Sequence, residues 1–116
     1  MSPVPTGVRE VRGGEIHSYE IGPAEFGLQP ADPDALRGGD PETNAAILLD
    51  VLAGRSGSAR DAAIANAAAA LYVSGRAADL AAGTRQAARA LDSGAVRRTL
   101  DNLRDASRAA RAETAA

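Results

Sequence analysis

Leu36-Arg37-Gly38-Gly39-Asp40-Pro41-Glu42-Thr43-Asn44-Ala45 divides the chain into an extended N-terminal part and a helical remainder. Asp40 can cap a helix, Pro41 suits the first helical position, and Glu42 favours the positive end of the helix dipole. Beyond them Ala45, Leu48, Leu49 and Leu52 share one stripe, and Gly54 stops the helix. A second helix is expected from Ser58, which with Asp61 resembles a capping box, to about Ser74, with Gly75 as the stop. A third runs from about Asp79 to Asp92 and ends at Ser93-Gly94. The fourth follows Gly94, with Val96, Leu100 and Leu103 at helical spacing.

Working back from the divide, Gly22 to Gly39 is rich in Gly, Pro and Asp. It reads as loop, with Pro23-Ala24-Glu25-Phe26 as a single helical turn. Before it, Val8 to Arg12 and Glu15 to Ile21 read as strands joined by Gly13-Gly14, a two-residue hairpin signal. Tyr19 and Ile21 fall on one face of the second strand, Ile16 and Ser18 on the other. The expected fold class is therefore α/β, a short antiparallel hairpin followed by about four helices. Residues 1–7 are expected as loop and 106–116 as a frayed, low-complexity tail, with the domain proper at 8–105.

Composition bounds the rest. The 116 residues suit one domain. Alanine supplies over half of the 45% apolar fraction, and Leu, Ile, Val and Phe together make up less than a fifth of the chain. A net charge of -2 is too small for charge-driven disorder, so close-packed, alanine-faced helices with little apolar area per residue are expected. Such a piece is expected to be marginally stable alone. Without cysteine there is no disulfide, thiolate nucleophile or cysteine metal site, which fits a cytoplasmic protein. The N-terminus does not read as a signal peptide, and Ala62 to Val73 is too short for a membrane span. An isoelectric point near 5.3 argues against nucleic acid as a partner.

No catalytic constellation emerges. His17 is the only histidine, in a hairpin strand, and reads as a surface residue. The serines stand at cap and loop positions, with no elbow or second histidine for acyl transfer. Gly38-Gly39 leads into a helix N-terminus where phosphate could sit. Pro41 removes a donor there, Asp40 and Glu42 supply the wrong charge, and no lysine follows, so it reads as a cap. Asp32, Asp34, Asp40 and Glu42 lack metal-loop spacing and read as solvated. Asn66, in the alanine-rich second helix, is expected to be buried and tied to backbone, a pocket-lining role being the lesser reading. Arg97, Arg98, Arg104, Arg108 and Arg111 alternate with Asp101, Asp105 and Glu113, a salt-laced solvent face rather than a nucleic-acid patch.

Several segments, in order, resemble the C-terminal end of the anthranilate phosphoribosyltransferases, within the class of glycosyltransferases that includes nucleoside phosphorylases. They are Ser2-Pro3-Val4-Pro5-Thr6 with Glu10-Val11-Arg12, then Leu36 to Ala45 leading to Val51-Leu52-Ala53-Gly54, then Asn66-Ala67-Ala68-Ala69-Ala70-Leu71-Tyr72-Val73-Ser74-Gly75. Ala90-Leu91-Asp92-Ser93-Gly94-Ala95 and Leu100 close the set, which covers about residues 2 to 105. The resemblance implies a fold built on a central mixed sheet. It also implies phosphoribosyl transfer from phosphoribosyl pyrophosphate to anthranilate with Mg²⁺, a step of tryptophan synthesis. The family's glycine loop, its Lys-His-Gly-Asn segment and its Asp-Glu metal pair precede the matched region, so no catalytic, cofactor or metal residue carries over. The expectation is an inactive C-terminal portion with no cofactor of its own. Its expected partner is the missing N-terminal part of the enzyme or a second copy, with no nucleic acid and no membrane. The alternative is a non-enzymatic helical interaction or scaffold module derived from that fold.

Overall fold

The computed structural model describes residues 4–115. Met1, Ser2 and Pro3 of the expected loop, and Ala116 of the expected tail, lie outside them. The hairpin pairs β1 (Thr6–Arg12) with β2 (Glu15–Ile21) in antiparallel register, Val8 opposite Tyr19, Glu10 opposite His17 and Val11 opposite Ile16. Gly13 and Gly14 both hold positive φ, 58° and 80°, as a type I′ connection requires. The first strand begins two residues before its expected start, because Thr6 and Gly7 continue the ladder against Ile21 and Glu20.

Five helices follow: α1 (Pro23–Phe26), α2 (Pro41–Leu52), α3 (Ser58–Val73), α4 (Leu80–Asp92) and α5 (Ala95–Ala115). The stretch expected as loop also holds a 3-10 turn over Pro33–Leu36. Asp32 caps it by accepting from the Asp34 amide at 2.9 Å. Asp40 caps α2 through the Thr43 amide at 2.8 Å, and Asp79 caps α4 through that of Ala82 at 2.7 Å. Ser58 does not cap α3: Gly57 holds the cap position, with no side-chain bond, and Ser58 is already the first helical residue.

The helices α3 and α4 form the centre of the molecule. Ala68 is fully buried and Gly83 lies against it, so the two backbones approach closely. At one end Arg60 forks onto Asp92, Nη1 to Oδ1 at 3.0 Å and Nη2 to Oδ2 at 3.2 Å. Two small apolar clusters flank this pair. One joins Val51 of α2 to Ile64, Ala87 and Leu91; the other sets Phe26 against Ala65 and Ala68. The stripe expected on α2 is displaced. Val51 is its buried residue, whereas Leu48 and Leu49 are 45% and 37% exposed. Apolar residues lie on more than one side of this helix, and only the side bearing Val51 meets α3 and α4.

The tail expected to fray from Ala106 is instead helix to Ala115. No Gly or Pro follows Gly94, alanine and arginine favour helix, and Asp101 pairs with Arg97 at 3.5 Å and Arg104 at 4.0 Å. Beyond Leu100 the residues of α5 through Thr114 are all exposed, so the helix projects from the body. That projection fits the radius of gyration of 16.6 Å, against about 13 Å for a compact chain of this length.

Candidate binding cleft between the hairpin and the helices

Strand alternation places Val8, Glu10 and Arg12 on one face of β1, and the register brings Tyr19 and Ile21 of β2 onto the same face. That face looks across a cleft of about 710 Å³ toward the end of α3, the turn after it and the start of α4. Apolar side chains, among them Val8, Ile21, Val73, Ala77 and Leu80, make most of its wall.

Its polar group is a four-residue clasp. Tyr19 Oη donates to Glu10 Oε1 at 2.7 Å, Tyr72 Oη donates to Glu10 Oε2 at 2.7 Å, and Arg12 Nη2 lies 2.9 Å from Glu10 Oε2. Arg12 also hydrogen-bonds the Tyr72 hydroxyl, and its guanidinium stands 5.6 Å from the ring centroid. The hydrogen bond from Tyr19, then that from Tyr72, then the charge of Arg12 hold the Glu10 carboxyl below its ordinary range. In return, the bond to Glu10 and partial desolvation push both phenols above theirs.

Every one of these shifts runs away from neutrality. Glu10 stays ionised and weakly basic, and the phenols stay protonated and weakly acidic, so the cluster is unsuited to proton transfer at neutral pH. It is suited to fastening the hairpin to α3 and to walling a ligand cleft. The sign of the pH dependence follows. Glu10's contribution is present above the ordinary carboxylate range and lost as pH falls through its lowered folded value. The contribution of the phenols is present below pH about 10 and lost as pH rises through their raised folded values. Tyr19 and Tyr72 are the only tyrosines and there is no tryptophan, so phenolate absorbance reads the clasp directly. Both phenols are expected to titrate above the ordinary value, and Glu10→Gln should bring the curve back toward it. Ordinary titration in the unsubstituted chain would show that the clasp does not form.

The residues singled out in the sequence do not assemble with this cluster. His17 is exposed beside Glu15, at 3.7 Å. Ser74 and Ser93 donate to carbonyls of their own helices. Asn66 is exposed rather than buried, and its Nδ2 donates to the Ala62 carbonyl one turn back at 2.9 Å. Gly38-Gly39 is a cap. Asn44 Oδ1 accepts from the Gly39 amide at 2.9 Å and Nδ2 returns a bond to the Gly39 carbonyl at 3.1 Å. The Asp40 carboxylate, lowered in pKa chiefly by the Thr43 amide, occupies the place a phosphate would take. Asp34 pairs with Arg37 at 2.9 Å. Among the described residues no three carboxylate or imidazole groups converge on a metal position, and none of the helices is long and apolar enough to cross a membrane.

Reading the sequence did not find the clasp. Alternation across the Gly13-Gly14 turn could have grouped Glu10, Arg12 and Tyr19. Nothing local points to Tyr72, sixty-two residues beyond Glu10.

Comparison with known proteins supplies the family. A family model described as "Glycosyl transferase family, a/b domain" matches residues 3–97. The chain is 49% identical over 104 residues to the anthranilate phosphoribosyltransferase of Azorhizobium caulinodans, covering 90% of this chain and 30% of that protein. The enzymes of that name from Rhodopseudomonas palustris and Methylobacterium nodulans are 50% and 52% identical over 99 residues, 85% of this chain and 29% of each relative. The chain thus spans about 30% of the length of the curated relatives it matches. With a hairpin-and-helix α/β architecture and a family match over residues 3–97, the chain belongs to the glycosyl transferase family, in its a/b domain.

Proposed function

We propose that these residues are the C-terminal portion of an anthranilate phosphoribosyltransferase, a cytoplasmic enzyme of tryptophan synthesis. In this reading they brace the domain while other residues perform the transfer. The observation that carries the reading is identity of 49–52% to enzymes of that name over 85–90% of the chain. The chemistry of the described residues accords with a bracing role. The clasp is buffered against proton transfer, the Gly38-Gly39 loop is closed by its own Asn44 and Asp40, and Asp32, Asp34 and Asp40 are engaged as caps or ion pairs. Among the described residues no three carboxylate or imidazole groups converge, so in this reading Mg²⁺ is held by residues other than these.

Purified chain supplied with anthranilate, phosphoribosyl pyrophosphate and Mg²⁺ is expected to give no turnover above background. Mixing it with the complementary portion of one of the relatives should restore anthranilate consumption. Turnover by the chain alone would overturn the bracing role. Failure of the mixture to gain activity, with both parts folded, would count against the assignment to this enzyme.

A further inference from the structure

The family model ends at residue 97, within the first turn of α5, so nearly all of the projecting helix lies beyond it. Its surface is ordered. Val96, Leu100, Leu103, Ser107 and Ala110 follow one another at alternating spacings of four and three, the seam of a two-helix contact. At 100° per residue Arg97, Arg104, Arg108 and Arg111 line one border of that seam, while Asp105 lies on the opposite side of the helix and Glu113 on the other border. A shallow trough of about 270 Å³ is lined by Leu100, Leu103, Arg104, Ser107, Arg108 and Arg111, with no carboxylate. Leu103 is 63% exposed. Asp101 is shared by Arg97 and Arg104, whereas Arg108 and Arg111 have no ion pair among the described residues.

A second copy is a poor occupant. In an antiparallel pair of α5 helices the two arginine borders face each other. In a parallel pair the border meets Thr99, Asn102 and Ala106, with Glu113 as the single acid. Neither arrangement supplies the missing negative charge.

We propose that α5 is a docking helix for an amphipathic helix of another protein, one with a leucine-type seam flanked by carboxylates. The partner's apolar seam covers Leu100 and Leu103, and its acids pair with Arg104, Arg108 and Arg111. The charge pairs set partner choice and orientation more than they add raw affinity.

The full chain can be titrated against two fluorescent synthetic helices with the same leucine seam, one flanked by glutamate and the other by lysine. Anionic vesicles serve as a third arm. The glutamate helix should bind at least about tenfold more tightly than the lysine helix, and the preference should shrink with salt. The combined substitution Arg104→Glu, Arg108→Glu and Arg111→Glu should reverse the preference, a gain that misfolding cannot mimic. Leu103→Asp should weaken both peptides. Equal or absent binding of the two helices, a preference surviving the triple substitution, or selective binding to vesicles alone would overturn the proposal.

Discussion

Replacing Phe26 with alanine is expected to cost about 3–5 kcal/mol, the range for an aromatic side chain removed from a packed interior. Phe26 is the chain's only phenylalanine and is 3% exposed. It packs with Ala65 and Ala68 of α3, joined by the partly buried Ile21, Leu28 and Leu80. The buried residues beside Phe26, Ala65 and Ala68, are too small to fill the space, and α3, which carries both, is tied to α4 by the Arg60–Asp92 fork. The cluster also ties β2, through Ile21, to the helical body. Loss of the ring should therefore loosen the hairpin as well as lower global stability. For a domain stable by about 5–15 kcal/mol in all, a loss of this size is a large share. Urea unfolding followed by helical circular dichroism measures it, and amide exchange in the hairpin measures the local effect. Phe26→Leu should retain more than half of the lost stability. A cost below about 1 kcal/mol for the alanine variant would show that Phe26 does not anchor this cluster.

The parts of the fold that were legible in the sequence are those governed by short-range chemistry. Asp40-Pro41 begins α2 because a carboxylate can reach the Thr43 amide and proline needs no donor at the first position. Gly13-Gly14 fixed the hairpin because both residues take positive φ without a side-chain penalty. Errors arose where one local signal had two outcomes. Ser58 stands where a capping serine would, but Gly57 takes the cap conformation and leaves Ser58 helical. The α2 stripe was ambiguous because apolar residues occur on several sides of that helix, and only contact with α3 and α4 selects Val51. The end of α5 is not legible from periodicity because its apolar pattern fades, although alanine, arginine and the Asp101 pairs sustain a helix without packing.

The clasp was less legible because its chemistry is long-range. Glu10, Arg12 and Tyr19 share a face by strand alternation alone, yet a glutamate and an arginine on an exposed strand face read as solubility. Their meaning comes from Tyr72, which only the packing of the hairpin over α3 brings within reach. Asn66 errs in the opposite direction. An asparagine among alanines looks buried, but on α3 its position turns to solvent, and the Ala62 carbonyl satisfies its amide.

Gly83 presents the sharpest case, because local propensity and packing predict opposite signs for one substitution. Glycine inside a helix is less favourable than alanine by about 1 kcal/mol, so Gly83→Ala in a solvated α4 would stabilise the chain. Here an added Cβ would lie 2.7 Å from the Ala68 carbonyl oxygen and 2.9 Å from the Ala68 Cα. Those are backbone atoms of α3, and a helix backbone cannot swing aside as a side-chain terminus can. The two helices would have to separate, thinning both apolar clusters and straining the Arg60–Asp92 fork at the other end of the pair. Overpacking of this kind typically costs about 1–3 kcal/mol, enough to outweigh the gain in propensity. Gly83→Ala should therefore unfold at lower urea concentration than the unsubstituted chain, and Gly83→Val at a lower concentration still. If α3 and α4 did not meet at Ala68 and Gly83, the alanine variant would be the more stable protein. The sign of a single unfolding measurement thus tests the closest contact in the fold.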